Sequence, residues 1–242
     1  MMKKLLGIIL ISMLIVMGSA VAREKKLYPE GTPTRSIQDL DAMLDQYRVS
    51  AKQPEDVKFN AELKERVLKG TFDIRRLCRL ALARHWNEVG KEKQDKFVEL
   101  MTQLLSKKAI FSREQGGQKG QSIKYFVENK GHTFLNEAKD KAVVKTVVRI
   151  PSEAINIGLE YKMIKEADSQ WKIYDVIVDG ASLLNNYRYQ FDTIIKKDGF
   201  ADLMHRMESK LKELNREYEK KLGHVPPEES SLLSPRSETR GT

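Results

Sequence analysis

The chain changes its hydrophobic period once, and that change divides it. Before the glycine-rich break GGQKG at 116–120, apolar residues recur every three or four positions; after it they alternate. A period of 3.6 buries one stripe of a helix, and a period of 2 buries one face of a strand. The fold class expected is α+β: N-terminal helices, then a twisted, mostly antiparallel sheet of about four to five strands, then C-terminal helices.

The helical half has several segments. Residues 23–35 contain two prolines, one glycine and no periodicity, and read as an arm or linker. A helix is expected from Ser36, with Ile37, Leu40, Leu44 and Tyr47 on one stripe. Pro54 opens a second, with Val57, Ala61, Val67 and Leu68 inward and Gly70 at its end. Asp73 is placed as the N-cap of a third, whose buried face is Ile74, Leu77, Cys78, Ala81, Leu82 and Trp86. After Gly90 a longer helix turns Phe97, Leu100, Met101, Leu104 and Leu105 inward.

The strands follow. Ser122–Asn129 and His132–Ala138 read as two strands joined by the turn Asn129-Lys130-Gly131. Lys139-Asp140-Lys141 turns into Ala142–Ile150. Asn156–Ile164 alternates most clearly, with Ile157, Leu159, Tyr161 and Met163 on one side. Gln170–Asp179 is apolar on both faces, as a central strand is. Gly180 ends the sheet. Ser182 can cap a helix through Lys196, and Asp198-Gly199 separates it from a last helix carrying Phe200, Leu203, Met204 and Met207. The remainder, rich in Pro, Ser and Glu, reads as a charged, disordered tail over 216–242.

The N-terminus sets the compartment. Lys3 and Lys4 precede an uncharged run from Leu5 to Met17, and Ala20 and Ala22 supply the small residues of a signal-peptidase site. Residues 1–22 therefore read as a cleaved signal peptide, and the mature chain as a periplasmic protein. The formal net charge is +9. Basic and acidic residues are interspersed, and export argues against a nucleic-acid partner. The single cysteine, Cys78, excludes an internal disulfide and falls on an apolar helix face.

Familiar catalytic patterns are missing: the chain has no G-x-S-x-G, H-E-x-x-H, P-loop, G-x-G-x-x-G or C-x-x-C. No catalytic residue, metal ligand or cofactor is expected. Asp175 and Asp179 would share the face of Trp171, Ile173 and Ile177, about 13 Å apart at ~3.3 Å per residue, too far for a paired acid and base. Asp175 is expected to pair with Arg188 or another arginine.

The segment WKIYDVIVDGASLLNNYRYQFDTIIKKDGFADLMHRM closely resembles the C-terminal signature of the MlaC family, the periplasmic phospholipid-binding proteins also called toluene-tolerance proteins. The pattern falls on Trp171, Lys172, Ile173, Tyr174, Asp175, Val176, Gly180, Ser182 and Leu183. It continues through Asn186, Tyr187, Arg188, Phe191, Ile195, Gly199, Phe200 and Leu203. A second block, FDIRRLCRLALARHW at 72–86, also resembles the family, with Phe97 following in place. The resemblance extends over residues 37–215; the N-terminal arm and the tail depart from it.

The resemblance implies a lipid-binding domain over 36–215, with helices over 36–115, a sheet over 121–180 and C-terminal helices over 182–215. It implies a cup like that of nuclear transport factors, with an apolar cavity between sheet and helices. The ligand implied is a phospholipid, carried by a monomer rather than turned over by an enzyme. Implied partners are an outer-membrane lipoprotein–porin complex and an inner-membrane ABC transporter with its substrate-binding ring. A branch of the family is associated with hopanoids, so that ligand class stays open, as does a cup-shaped enzyme. The lining expected first is Ile157, Leu159, Tyr161 and Met163. Tyr125, Val127, Val143 and Val147 come next from the neighbouring strands, and Trp171 and Ile173 from the last. Tyr187 and Phe191 are added from the following helix.

Overall fold

The computed structural model describes residues 27–48, 53–108 and 125–222. The signal peptide expected at 1–22, the start of the arm, the 116–120 break, the first residues of the first expected strand and the tail beyond Leu222 lie outside the described residues. Among the described residues, five α-helices precede a five-stranded sheet, and a long helix follows it.

Helix α1 spans Pro33–Leu44 and begins three residues earlier than the periodicity suggests. The cause is local. Thr32 is the N-cap, its hydroxyl accepting from the Arg35 N–H at 3.3 Å, and Pro33 takes the first helical position, where a missing N–H costs nothing. Helix α2 spans Pro54–Thr71. Ala61 faces solvent, and Leu63 and Asn60 take its place inside. Asn60 accepts from the Arg48 N–H at 2.9 Å and donates to the Arg48 carbonyl at 2.8 Å, which fixes the chain after α1 against α2.

Helix α3 spans Ile74–Leu82 and buries Ile74, Leu77, Cys78, Ala81 and Leu82 as expected; Trp86, expected on the same helix, is buried beyond its end. Asp73 caps it: Oδ1 accepts from the Arg76 N–H and Oδ2 from the Arg76 guanidinium, both at 2.8 Å. Ala83 has φ of 49°, which ends the helix, and the short α4, His85–Glu88, follows. Helix α5 is Lys91–Lys108.

The sheet is an antiparallel meander in the order β1-β2-β3-β4-β5. Its strands are β1 Phe126–Phe134, β2 Lys141–Ile150, β3 Ile155–Lys165, β4 Trp171–Val178 and the two-residue β5 Ala181–Ser182. β1 corrects one expectation: Asn129-Lys130-Gly131 is a bulge inside one continuous strand, not a turn between two. Gly131 absorbs it with φ of +86°. The chain reverses later. There Asn136 donates to Asp140 at 2.6 Å and the Leu135 N–H donates to the Lys141 carbonyl at 2.8 Å.

A second bulge lies in β4. Lys162 pairs with Asp175 and Met163 with Ile173, leaving Tyr174 as the extra residue. Beyond Tyr174 the strand presents its other side. Asp175 and Ile177 therefore share the face of Lys162 and Glu160, not that of Ile173, which corrects the simple alternation. Asp179 and Gly180 both have positive φ, 46° and 85°, and form the tight turn into β5. Asp179 also accepts from the Gly158 N–H at 2.8 Å.

Helix α6 spans Leu183–Leu222 with a break at Gly199, whose φ of 84° and ψ of 167° suit glycine alone. Its start is held twice. Ser182 Oγ accepts from the Asn185 N–H at 3.0 Å and donates to Asp175 Oδ2 at 2.8 Å, while Asp175 Oδ1 accepts from the Leu184 N–H at 3.0 Å. Lys162 adds an ion pair to Asp175 at 3.4 Å. Arg188 does not pair with Asp175; it donates to the Leu80 carbonyl at 3.0 Å and ties α6 to α3. Past Gly199, Arg206 reaches both Asp198 and Asp202. The helix continues beyond 215 because no breaker occurs before Gly223.

Candidate ligand-binding face

One side of the meander faces the helices, and the register says which residues it carries. On β3 these are Ile157, Leu159, Tyr161 and Met163. Their β2 partners are Val148, Thr146, Val144 and Ala142, and on β4 Val178, Val176 and Ile173 oppose Leu159, Tyr161 and Met163. Val127 opposite Val148 extends the face onto β1, and Tyr125 two residues earlier shares its side.

Ten of the twelve expected lining residues thus come together: eight on this inner side of the sheet, with Tyr187 and Phe191 packed on the same core from α6. Val143 and Val147 do not. They oppose Lys162 and Gly158 on the outer side, in a row with Lys145 and Arg149. Two cations in that row are the signal that it faces water. Val176 and Val178 were missed because the Tyr174 bulge hides their side from a period-2 reading.

Burial along this face is graded. Met163, Ile173, Leu159, Trp171 and Tyr161 are all 6% exposed or less. At the other end Tyr125, Val127, Ile157, Val176 and Val178 are only half-buried, and Ile155 is 40% exposed. The face is closed where β3 meets β4 and becomes more accessible toward the β2–β3 turn on β1, β3 and β4, while Val148 and Ile150 of β2 stay buried there. Helix α1 runs over β1 and β2: Thr34 shares a 2.7 Å hydrogen bond with His132, and Tyr125 donates weakly to Asp45 at 3.4 Å. The indole of Trp171 donates to the Gly31 carbonyl at 3.0 Å, pinning the chain that enters α1. From the helices, Tyr187 stacks on Phe191 at 5.4 Å and Phe191 meets the edge of Phe97 at 5.5 Å.

Burial shifts four titratable groups here toward their neutral forms. Burial pushes the Tyr187 phenol up to about 12 and raises that of Tyr161 further. Desolvation lowers His132, and burial raises the Cys78 thiol, which disfavours the nucleophilic thiolate. His85 is 6% exposed and lies between Glu88 and Asp192, 3.0 Å from each, bridging α4 to α6. Asp175 and Asp179 serve backbone N–H groups. Among the described residues no cluster of His, Cys, Asp or Glu is arranged to hold a metal.

A separate groove of about 770 Å³ opens between the start of α3 and the β3–β4 turn. Arg75, Arg76, Arg79 and Lys172 line it together with Asp73, Glu166 and Asp168. It is open to solvent, and it includes none of the twelve expected lining residues. No described helix is long and apolar enough to cross a membrane.

Among solved structures, the chain is similar to a phospholipid-binding protein from Ralstonia solanacearum solved in complex with a phospholipid. The TM-score is 0.60 at 20% identity, covering 76% of this chain and 99% of that one. That likeness establishes the α+β fold. No curated protein sequence matches. The model of the MlaC protein family matches residues 38–209, most of the chain and both resemblance blocks. This chain belongs to the MlaC family.

Proposed function

We propose that this protein is a periplasmic phospholipid carrier, which binds acyl chains against the inner side of the sheet and performs no catalysis. The observation that carries the reading is the graded inner face: a largely apolar surface, closed where β3 meets β4 and more accessible toward the β2–β3 turn. Family membership supports it, as does a similar fold solved with a phospholipid.

The energetics suit a carrier. Two acyl chains hold about 30 methylenes, worth roughly 25 kcal/mol against water at ~0.8 kcal/mol each. That exceeds the ~18–21 kcal/mol ceiling of non-covalent affinity. A carrier has only to replace the bilayer's apolar surroundings, so loading and unloading are near-balanced exchanges. The barrier is exposure of the chains in transit, which a docked donor and acceptor remove. We assign those roles to an outer-membrane lipoprotein–porin complex and an inner-membrane ABC transporter with its ring. In this reading residues 1–22 direct export and are removed, and a monomer of the domain over about 33–215 holds the lipid.

Organic extraction of the purified protein followed by mass spectrometry tests the proposal. Co-purified phospholipid is expected; a folded protein that is empty and takes none from vesicles contradicts it.

A further inference from the structure

The groove between α3 and the β3–β4 turn has walls of opposite sign that do not meet. On the α3 wall, Arg75 pairs with Asp95 and lies 6.0 Å from the ring centroid of Trp86, and Arg76 pairs with Asp73 at 2.8 Å. Arg79, one turn on, is exposed and has no partner among the described residues. The other wall is the turn after β3. Glu166 has no cation or donor at its carboxylate among the described residues, and Asp168 takes only the Gln170 N–H at 3.0 Å. A free guanidinium and two carboxylates without cations thus line one groove and leave each other unpaired.

Both walls are held in place. Phe72 bridges to Ile173, and the Asp73 N–H donates to the Ile173 carbonyl at 2.9 Å, which fixes the start of α3 to β4. The turn is closed by the Glu166 N–H on the Gln170 carbonyl at 2.8 Å and the Ser169 N–H on the Glu166 carbonyl at 2.9 Å. Phe72 and Trp86 supply apolar lining. Tryptophan and arginine are the side chains that dominate protein interfaces, and walls ordered beforehand lower the cost of binding. A small-molecule site encloses most of its ligand, whereas this groove is open. Glu166 and Asp168 repel a wholly acidic partner or an anionic membrane, and the α3 arginines repel a wholly basic one. The complement is a protein surface that carries both signs.

Resting on the carrier reading above, we propose that this groove docks a segment of an envelope partner protein, with an acidic side chain meeting Arg79 and a basic one meeting Glu166 and Asp168. The groove lies at the closed end of the inner face, about 30 Å along β3 from the exposed Ile155. A partner seated there leaves the more accessible end of the face uncovered.

The test puts the photoreactive amino acid p-benzoylphenylalanine in place of Ala167, exposed at the lip of the groove, in the whole chain expressed in Gram-negative cells. After irradiation the adducts are isolated and the linked peptide is sequenced by mass spectrometry. An adduct with an envelope protein is expected, through a segment holding both acidic and basic residues. Its yield is expected to fall about tenfold with Arg79→Glu or Glu166→Lys, which set like charges against each other, and to persist with Arg79→Lys. The Glu166→Lys variant serves if Arg79→Glu does not fold. No protein adduct, an adduct with lipid or with a second copy of this chain, a linked segment of one sign, or a yield that neither reversal lowers overturns the inference. Purified Arg79→Glu is expected to hold as much phospholipid as wild type. Wild-type protein that is empty and takes up no lipid overturns the carrier reading itself, a result distinct from the loss of the adduct.

Discussion

Ser182 donates a hydrogen bond to Asp175 at 2.8 Å while its own oxygen caps helix α6 through the Asn185 N–H. The two side chains, seven residues apart, join the last long strand to the helix that covers the sheet. Asp175 is 1% exposed, and its second oxygen takes the Leu184 N–H. An aspartate in this place is therefore a structural cap.

Asp175→Ala removes both acceptors and leaves the Leu184 N–H and the Ser182 hydroxyl unanswered. A loss of about 2–4 kcal/mol is expected, combining a helix cap with a charged hydrogen bond. Asp175→Asn keeps one acceptor and is expected to lose less. Urea denaturation followed by circular dichroism measures both; an Ala variant as stable as wild type would remove Asp175 from this role.

The register separates two valines from the inner face, and that separation is measurable. Leu159→Trp adds bulk beside Thr146 and Val178 and is expected to lower lipid occupancy, with an overpacking cost of about 1–3 kcal/mol. Val143→Trp adds the same bulk opposite Lys162 on the outer side and is expected to leave occupancy unchanged. Mass spectrometry of extracted lipid compares the two; equal losses would mean that the faces are wrongly assigned.

Asp192 is the meeting point of Lys196, His85 and Arg84, and the hydrogen bonds from Lys196 and His85 lower its carboxyl to about 2 from an ordinary 3.8. A depressed folded-state value stabilises the protein above the unfolded value and is lost as pH falls toward the folded one. The wild-type denaturation midpoint is thus expected to fall between about pH 4 and pH 2 more steeply than that of Asp192→Asn. Parallel slopes would show that the cluster contributes nothing to acid stability.

Cys78 is wholly buried within α3, and burial raises its thiol. An aromatic disulfide reagent is expected to leave the native protein unmodified at neutral pH and to titrate one thiol in denaturant. Rapid modification of the native protein would place Cys78 at an accessible surface.

Much of this fold was legible in the sequence, and the failures share a cause. The α3 face was read correctly because Asp73 fixes where the helix begins and five apolar residues then keep helical spacing. The β3 row was legible because Asn156, Glu160 and Lys162 mark its wet side. β1 was read as two strands because Asn-Lys-Gly has turn chemistry, whereas the structure uses Gly131 for a bulge within a ladder that β2 completes. β4 reversed its faces at Tyr174, a change that local periodicity cannot report because the partner strand sets it.

Transfer of labelled phospholipid is the most direct test of the carrier account. Donor vesicles are mixed with the folded protein, the protein is re-isolated, and bound label is counted in wild type and Leu159→Trp. The account predicts substantial uptake by wild type and a clear loss in the variant. No uptake by folded wild type, or equal uptake by a folded Leu159→Trp, would contradict the claim that acyl chains lie against the inner side of the sheet.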